Sequence, residues 1–491
     1  MIKIVTQNKK PVNESGKGRR LMFVTVKADK HNSKPLLTLL EEMGYSLPCN
    51  CHGRHHCSGK RYSFDCALIP KESVTIDLPE TDTRLTGIAL EDRIPQPGSG
   101  DTLLIDLGTT TVALALIDGA SGALRQTLVF ANPQTASGAD VISRIQASCQ
   151  GEGAALRQSI VRALTGQTEQ LCRQNHQSVS DIHSCYIGGN TTMIHLLMGY
   201  DCTPLATSPF TIQEVSPEPF SYESPHGSCH VMILPWLSAF VGGDITAGLI
   251  ACHMTKNASS ALLIDLGTNG EMALLHRGFL YTAATAAGPA FEGGCLSCGC
   301  PGIPGAICHV RLKRMRPAFT TIGNKLPIGL CGSGALSLCA ELLRHGYVDR
   351  EGILTRHFPE EGLLLSPSAQ GAPILFTAED FRNMQPAIAA IAAGIETLSH
   401  TAGIQPEEIS DVFLGGGFGF YLDLADCQTL GMFSSLDISA IQPMGNTCLR
   451  GLYEYAVSPD KALRLPPDTA VNLADSAYFQ EQFIHHMTYP A

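Results

Sequence analysis

Two aspartates, each followed by Leu-Gly-Thr, carry the strongest chemical signal in the chain. Asp106 closes the apolar run of LLIDLGTTT (103–111), and Asp265 closes that of LLIDLGTNG (262–270). A carboxylate at the mouth of a turn is a hard oxygen donor suited to Mg²⁺ or to its waters. Gly108 and Gly267 let backbone N–H groups approach a ligand closely. Thr109, Thr110, Thr268 and Asn269 add hydroxyl and amide donors and acceptors. A turn of that composition can cradle phosphate.

The elements that must position these residues repeat with them. Four apolar residues ending in Asp-Leu-Gly-Thr read as a buried strand entering a tight turn. The first copy is followed by TVALALID, a turn at 119–122 and ALRQTLVFA; the second by EMALL, a polar turn at 276–278 and FLYTAATAAG. Both patterns predict three-stranded meanders whose first hairpin carries the turn. The aspartates lie 159 residues apart, room for one lobe each. A nucleotide clamp with lobes at 101–255 and 256–491 is therefore expected.

Between and beyond the turns lie secondary candidates. Asp140 opens a helix, as a cap or as a carboxylate near its positive end. Asn190-Thr191-Thr192 opens another, whose free N–H groups could face an anion. Asp244 follows a glycine turn, as an N-cap or as a polar group facing the cleft. The glycine-dense stretch 287–305 holds Cys295, Cys298 and Cys300, read as fillers of a loop over the nucleotide rather than as a metal site, since no second ligand pair is recognisable. Late in the chain, VFLGGGFG (412–419) feeds an apolar strand into Gly415, Gly416 and Gly417, where a nucleoside could lie against bare backbone.

Residues 1–80 read differently, as strand, strand, helix (33–43), cysteine loop and strand (74–78). The loop holds Cys49, Cys51 and Cys57, with Cys66 beyond it. This order resembles a β-grasp, plant-type ferredoxin, whose thiolates hold a [2Fe–2S] cluster. Lys60 stands where one ligand belongs, and an ammonium group cannot replace a thiolate. A weak or absent cluster is expected, with Lys60→Cys raising bound iron. Cys49, or one of His52, His55 and His56, could complete an altered site, and the same residues could hold Zn²⁺. Residues 81–100 read as a linker. A net charge of −11 argues against nucleic acid or an anionic membrane as partner. The chain has no long apolar segment and reads as cytoplasmic, where its 18 cysteines suggest metal or redox chemistry rather than disulfides.

Two Asp-Leu-Gly-Thr turns, a late strand-Gly-Gly-Gly turn and glycine-opened helices resemble the ASKHA superfamily of acetate and sugar kinases, Hsp70 and actin, which implies an α/β bilobal clamp. Within it, NPQTASGADVISRI, GNTTMIHLL, AAGPAFEGGCLSCG, GLCGSGAL and LGGGFG resemble the reductive activators of corrinoid proteins. That resemblance covers nearly all of 101–485, and 1–80 in outline. It implies ATP and Mg²⁺ as ligands, a corrinoid protein and an electron donor as partners, and a homodimer as an assembly it allows. Asp106, Gly108, Thr109 and Thr110 match the first phosphate turn, Asp265, Gly267, Thr268 and Asn269 the second, and Gly415, Gly416 and Gly417 the nucleoside contact. Two alternatives stay open. One is an ATP-switched assembly or chaperone protein whose N-terminal segment is redox-inactive or zinc-binding. The other is a small-molecule kinase with Asp244 or Asp265 as base.

Overall fold

Apolar alternation and tight turns build two sheets of the same order. The computed structural model describes four strands within residues 21–79, and residues 100–490 apart from 209, 213–228, 255–259, 356, 368–372, 417–421 and 458–464. Early in the chain, β1 (Leu21–Val26) pairs antiparallel with β4 (Val74–Pro79), and β2 (Cys57–Gly59) with β3 (Tyr62–Phe64). Strands were expected at the positions of β1 and β4. The helix expected at 33–43, the linker up to residue 99, Lys60, Cys49, Cys51, Cys66, His52, His55 and His56 lie outside the described residues. Cys57 opens β2, of which the backbone alone is described.

The first sheet is the meander β5 (Asp101–Leu107), β6 (Thr111–Ile117) and β7 (Leu124–Ala131), extended by β8 (Ile182–Gly189) and β9 (His230–Ile233) in the order β7-β6-β5-β8-β9. The second is the meander β10 (Ala261–Leu266), β11 (Gly270–His276) and β12 (Phe279–Thr285), with β18 (Asp411–Gly415), β19 (Ile441–Gly445) and β20 (Asp468–Ala470) in the order β19-β18-β10-β11-β12-β20. Arg277 and Gly278, at φ +49° and +80°, form the tight second turn of that meander. In both sheets the Asp-bearing strand pairs antiparallel on one side and parallel on the other. The excursion between β12 and β18 holds a three-stranded sheet of β13 (Ala306–Lys313), β14 (Arg316–Thr321) and β15 (Gly329–Leu330), the hairpin of β16 (Leu363–Pro367) with β17 (Pro373–Phe376), and helices Gly332–Arg344 and Ala378–Ala402.

Three helices position the site: α1 (Thr191–Met198), α2 (Gly243–Ala251) and α3 (Thr447–Val457). Helix α2 follows the first sheet, yet Ile245 and Leu249 pack with Leu263, Ala273 and Phe413 of the second. Helix α3 follows the second sheet, yet Leu449 and Leu452 pack with Leu104, Ala113 and Ala115 of the first. Each buried leucine contributes roughly 1.5–3 kcal/mol to that crossed packing. The two helices approach closely at Gly451, where a Cβ would lie 1.8 Å from the Ala247 carbonyl oxygen. Among the described helices, none is long and apolar enough to cross a membrane.

Candidate functional site

The first turn is braced by amide side chains. Asn132 Nδ2 donates to the Gly108 carbonyl at 2.9 Å, and its backbone N–H donates to the Thr110 carbonyl at 2.8 Å. Asn190 does two jobs. Its Oδ1 accepts the Met193 N–H at 2.9 Å and so caps α1, while its Nδ2 donates to Thr109 Oγ1 at 2.8 Å. A Cβ on Gly108 would lie 2.5 Å from the Thr111 carbonyl oxygen, so glycine is required by the turn itself.

The second turn is one residue shorter, since Leu266 pairs with Gly270 whereas Leu107 pairs with Val112. It closes through the Gly267 N–H on the Asn269 carbonyl at 3.0 Å. The two turns meet: Thr110 Oγ1 and Thr268 Oγ1 are 3.0 Å apart. Six turn residues singled out in the sequence are thus brought to one place, although they come from different sheets.

Carboxylates converge on the second turn. Asp265 lies opposite Glu271 in the β10–β11 register, and Asp244 stands in the first turn of α2. Gly242 is the cap residue of that helix, while Asp244 accepts the Ile245 N–H of its first turn at 2.8 Å and also feels the Asp265 charge across the cleft. Burial, with the Asp265 charge second, raises the Asp244 carboxyl to about 7. Burial, then the Asp106 charge, raises Asp265 likewise to about 7. Glu271 is pushed well above the usual carboxylate range by burial and then by Asp244 and Asp265. It is 7% exposed, and its Oε1 has no hydrogen-bond partner. Asp106 is raised by burial too, against a lowering hydrogen bond from Asn446. Among the described residues, no basic side chain figures among the charges that shift these four groups.

Sequence reasoning missed Glu271, Asn446 and Thr447. Asn446 Nδ2 donates to Asp106 Oδ2 at 2.7 Å while its Oδ1 accepts the Leu449 N–H at 2.7 Å. Thr447 Oγ1 donates to Asp265 Oδ2 at 3.2 Å. A signal existed, because Gly445-Asn446-Thr447 repeats the Gly189-Asn190-Thr191 string that opens α1. Gly188 is the register partner of Asp106 as Gly415 is of Asp265, so the late glycines match Gly188 and Gly189. Gly416 has φ +88°, and Gly417 lies outside the described residues.

Other candidates stand apart. Asp140 caps its helix in a box with Ser143. Cys295, Cys298 and Cys300 are half-buried, with burial raising their thiols, the last two to about 12. His309, Asp423 and Asp426 come close enough to share a cation, but Arg311 already pairs with both aspartates at 2.9 Å.

Comparison with known proteins agrees with this geometry. Residues 102–257 match the RACo middle region, and residues 259–491 match the C-terminal domain of RACo, the ASKHA domain. Over 390 residues the chain is 30% identical to the corrinoid activation enzyme RamQ of Eubacterium limosum, covering 73% of this chain and 65% of RamQ. Over 244 residues it is 28% identical to the Co(II) methylated amine-specific corrinoid protein reductase of Methanosarcina barkeri, covering 45% of this chain and 43% of that protein. The solved structure of a reductive activator for corrinoid, iron-sulfur protein matches with a TM-score of 0.73 and 27% identity, covering 98% of this chain and 80% of that one. The chain therefore spans just under two thirds of RamQ and less than half of the reductase. With both regions matched across residues 102–491, the chain belongs to the RACo family and carries its ASKHA domain.

Proposed function

We propose that this protein is an ATP-dependent reductive activator of a corrinoid protein, coupling ATP binding and hydrolysis to reduction of Co(II) to Co(I) in cobalamin-dependent methyltransfer. The carrying observation is the meeting of the two Gly-Thr turns at Thr110 and Thr268 beside a nest of carboxylates. In this reading Gly108, Thr109, Thr110, Gly267, Thr268 and Asn269 hold phosphate oxygens, and Gly415, Gly416 and Gly417 the nucleoside. The lobes are 101–255 and 256–491, and they tighten on the nucleotide as a two-state element.

The residues present fit Mg²⁺. Asp106, Asp244, Asp265 and Glu271 are hard oxygen donors, and among the described residues no basic side chain figures among the charges that shift them, while Asn269 is the hydrogen-bond partner of Glu271. Asp106 and Asp265 would hold the ion or its waters. When bound, Mg²⁺ neutralises charge on the transferring phosphoryl group. The chain's own part is to aim turn N–H groups at the phosphates and to keep water out of the closed cleft.

The plant-type ligand pattern is incomplete, because Lys60 stands at a ligand position beside Cys51, Cys57 and Cys66, which leaves Cys49 or a neighbouring histidine to complete an altered site. The reading calls on a separate electron donor for the corrinoid, with the protein working in the cytoplasm. The same lysine favours a second reading, an ATP-switched assembly protein whose N-terminal segment binds zinc or a partner.

The test is spectroscopic. With ATP and a strong reductant, a cognate corrinoid protein should pass from Co(II) to Co(I), followed by its absorption. Failure with every corrinoid protein of the same cell, while ATP is being hydrolysed, would favour the second reading.

A further inference from the structure

We propose that the dipeptide Asn446-Thr447 is a clasp that sets the two aspartates of the cleft relative to each other, and so positions both turns for hydrolysis. The inference rests on the proposed ATP reading for its kinetic consequence, though not for its geometry. The two side chains reach different sheets: Asn446 binds Asp106 of the first, and Thr447 binds Asp265 of the second. Asn446 cannot swing away freely, since its Oδ1 is occupied by the Leu449 N–H in capping α3. Thr447 is fully buried, which favours a hydroxyl that keeps its carboxylate partner. Both bonds end on carboxyl groups and belong to the stronger, charge-assisted class whenever those groups are ionised.

The matched glycines make room for this helix end. A Cβ on Gly415 would lie 2.7 Å from Thr447 Oγ1 and 3.1 Å from Asp265 Oδ2. On the other sheet, a Cβ on Gly188 would lie 2.6 Å from Cys448 Sγ, whose thiol hydrogen-bonds Asp106. Each glycine is the register partner of an aspartate. At these two places bare backbone is required by the helix end that reaches both aspartates, whatever further contact Gly415 makes with a nucleoside. The body of α3 packs on the first sheet while its chain emerges from the second, so a shift of either turn pulls on the other.

Thr447→Val keeps the shape and removes the donor, and Thr447→Ser keeps the donor. Turnover of ATP should fall roughly tenfold in the valine variant, while the affinity for a fluorescent ATP analogue changes by less than about twofold. The serine variant should recover most of the turnover. Hydrogen exchange read by mass spectrometry supplies a measure without ATP: the 262–270 peptide should exchange faster in Thr447→Val and at the wild-type rate in Thr447→Ser. Wild-type turnover and exchange in the valine variant would overturn the clasp, as would a serine variant damaged equally. A wild-type protein that hydrolyses no ATP would sink the proposed function instead, and the exchange measurement would then decide the clasp alone.

Discussion

The two halves of the cleft share strand order and turn sequence, and they differ in charge. In the first half, amides do the bracing: Asn132, Asn190 and Asn446 hold Gly108, Thr109 and Asp106. In the second, carboxylates gather, because Glu271 stands opposite Asp265 where Ala113 stands opposite Asp106. The helices differ in the same sense. Four residues before a glycine inside each helix, Gly248 in α2 and Gly451 in α3, α2 carries Asp244 and α3 carries Thr447. The two sheets share a common frame, and single side chains at matched positions give one half its amide bracing and the other its carboxylates. By this logic the proposed Mg²⁺ would draw mainly on the second half, with Asp106 facing it from the first, and phosphate contacts would be shared.

The largest test of that polarity removes one charge from each half. Asp265→Asn should lower ATP turnover by about 10²–10³-fold, the scale of losing one preorganised electrostatic contact. Asp106→Asn should cost about tenfold less, because a neutral amide already faces that group. Steady-state rates at saturating Mg-ATP decide it, and equal losses would dissolve the asymmetry.

Next in size is a pair of alanines. Gly108→Ala meets a carbonyl oxygen at 2.5 Å and should shift its turn, reducing turnover by roughly tenfold or more. Gly267→Ala meets nothing nearer than 3.9 Å and should fold unchanged. If nucleotide affinity nevertheless falls in Gly267→Ala, then the second glycine serves the ligand and the first serves the chain.

The smallest effect is on stability. Asp244, Asp265 and Glu271 have folded-state values above their unfolded ones, so the folded protein holds extra protons. Their contribution to the stability of the nucleotide-free protein is then full below about 4 and is lost as pH rises through about 7, the value of Asp244 and Asp265. Thermal unfolding should show a melting temperature that declines across that window. Glu271→Gln should flatten the decline and stabilise the free protein by about 1–2 kcal/mol at the alkaline end, the order of one uncompensated buried group. A steeper decline in the variant would contradict the account.

What could be read from the sequence was local. Both meanders, both turns and the helix starts at Asn190 and Gly332 follow from apolar runs, glycines and caps within a few residues. Glu271 was visible as a letter in EMALL, but its role needs the β10–β11 register that sets it against Asp265. The Asn446–Asp106 bond spans 340 positions, beyond the reach of any periodicity. Asp244 was left between two roles because a glycine before it can cap a helix without a side chain, which only the backbone reveals.

The crossing of α2 and α3 bears on how the chain could be divided. A cut near residue 256 looks clean along the sequence, since it falls between two complete meanders. It would nonetheless strip the first sheet of Leu449 and Leu452, and the second of Ile245 and Leu249. Each fragment would present an uncovered apolar face shaped for a helix carried by the other. The halves are therefore expected to be insoluble when made singly and to recover as a pair when made together, in the manner of a split protein.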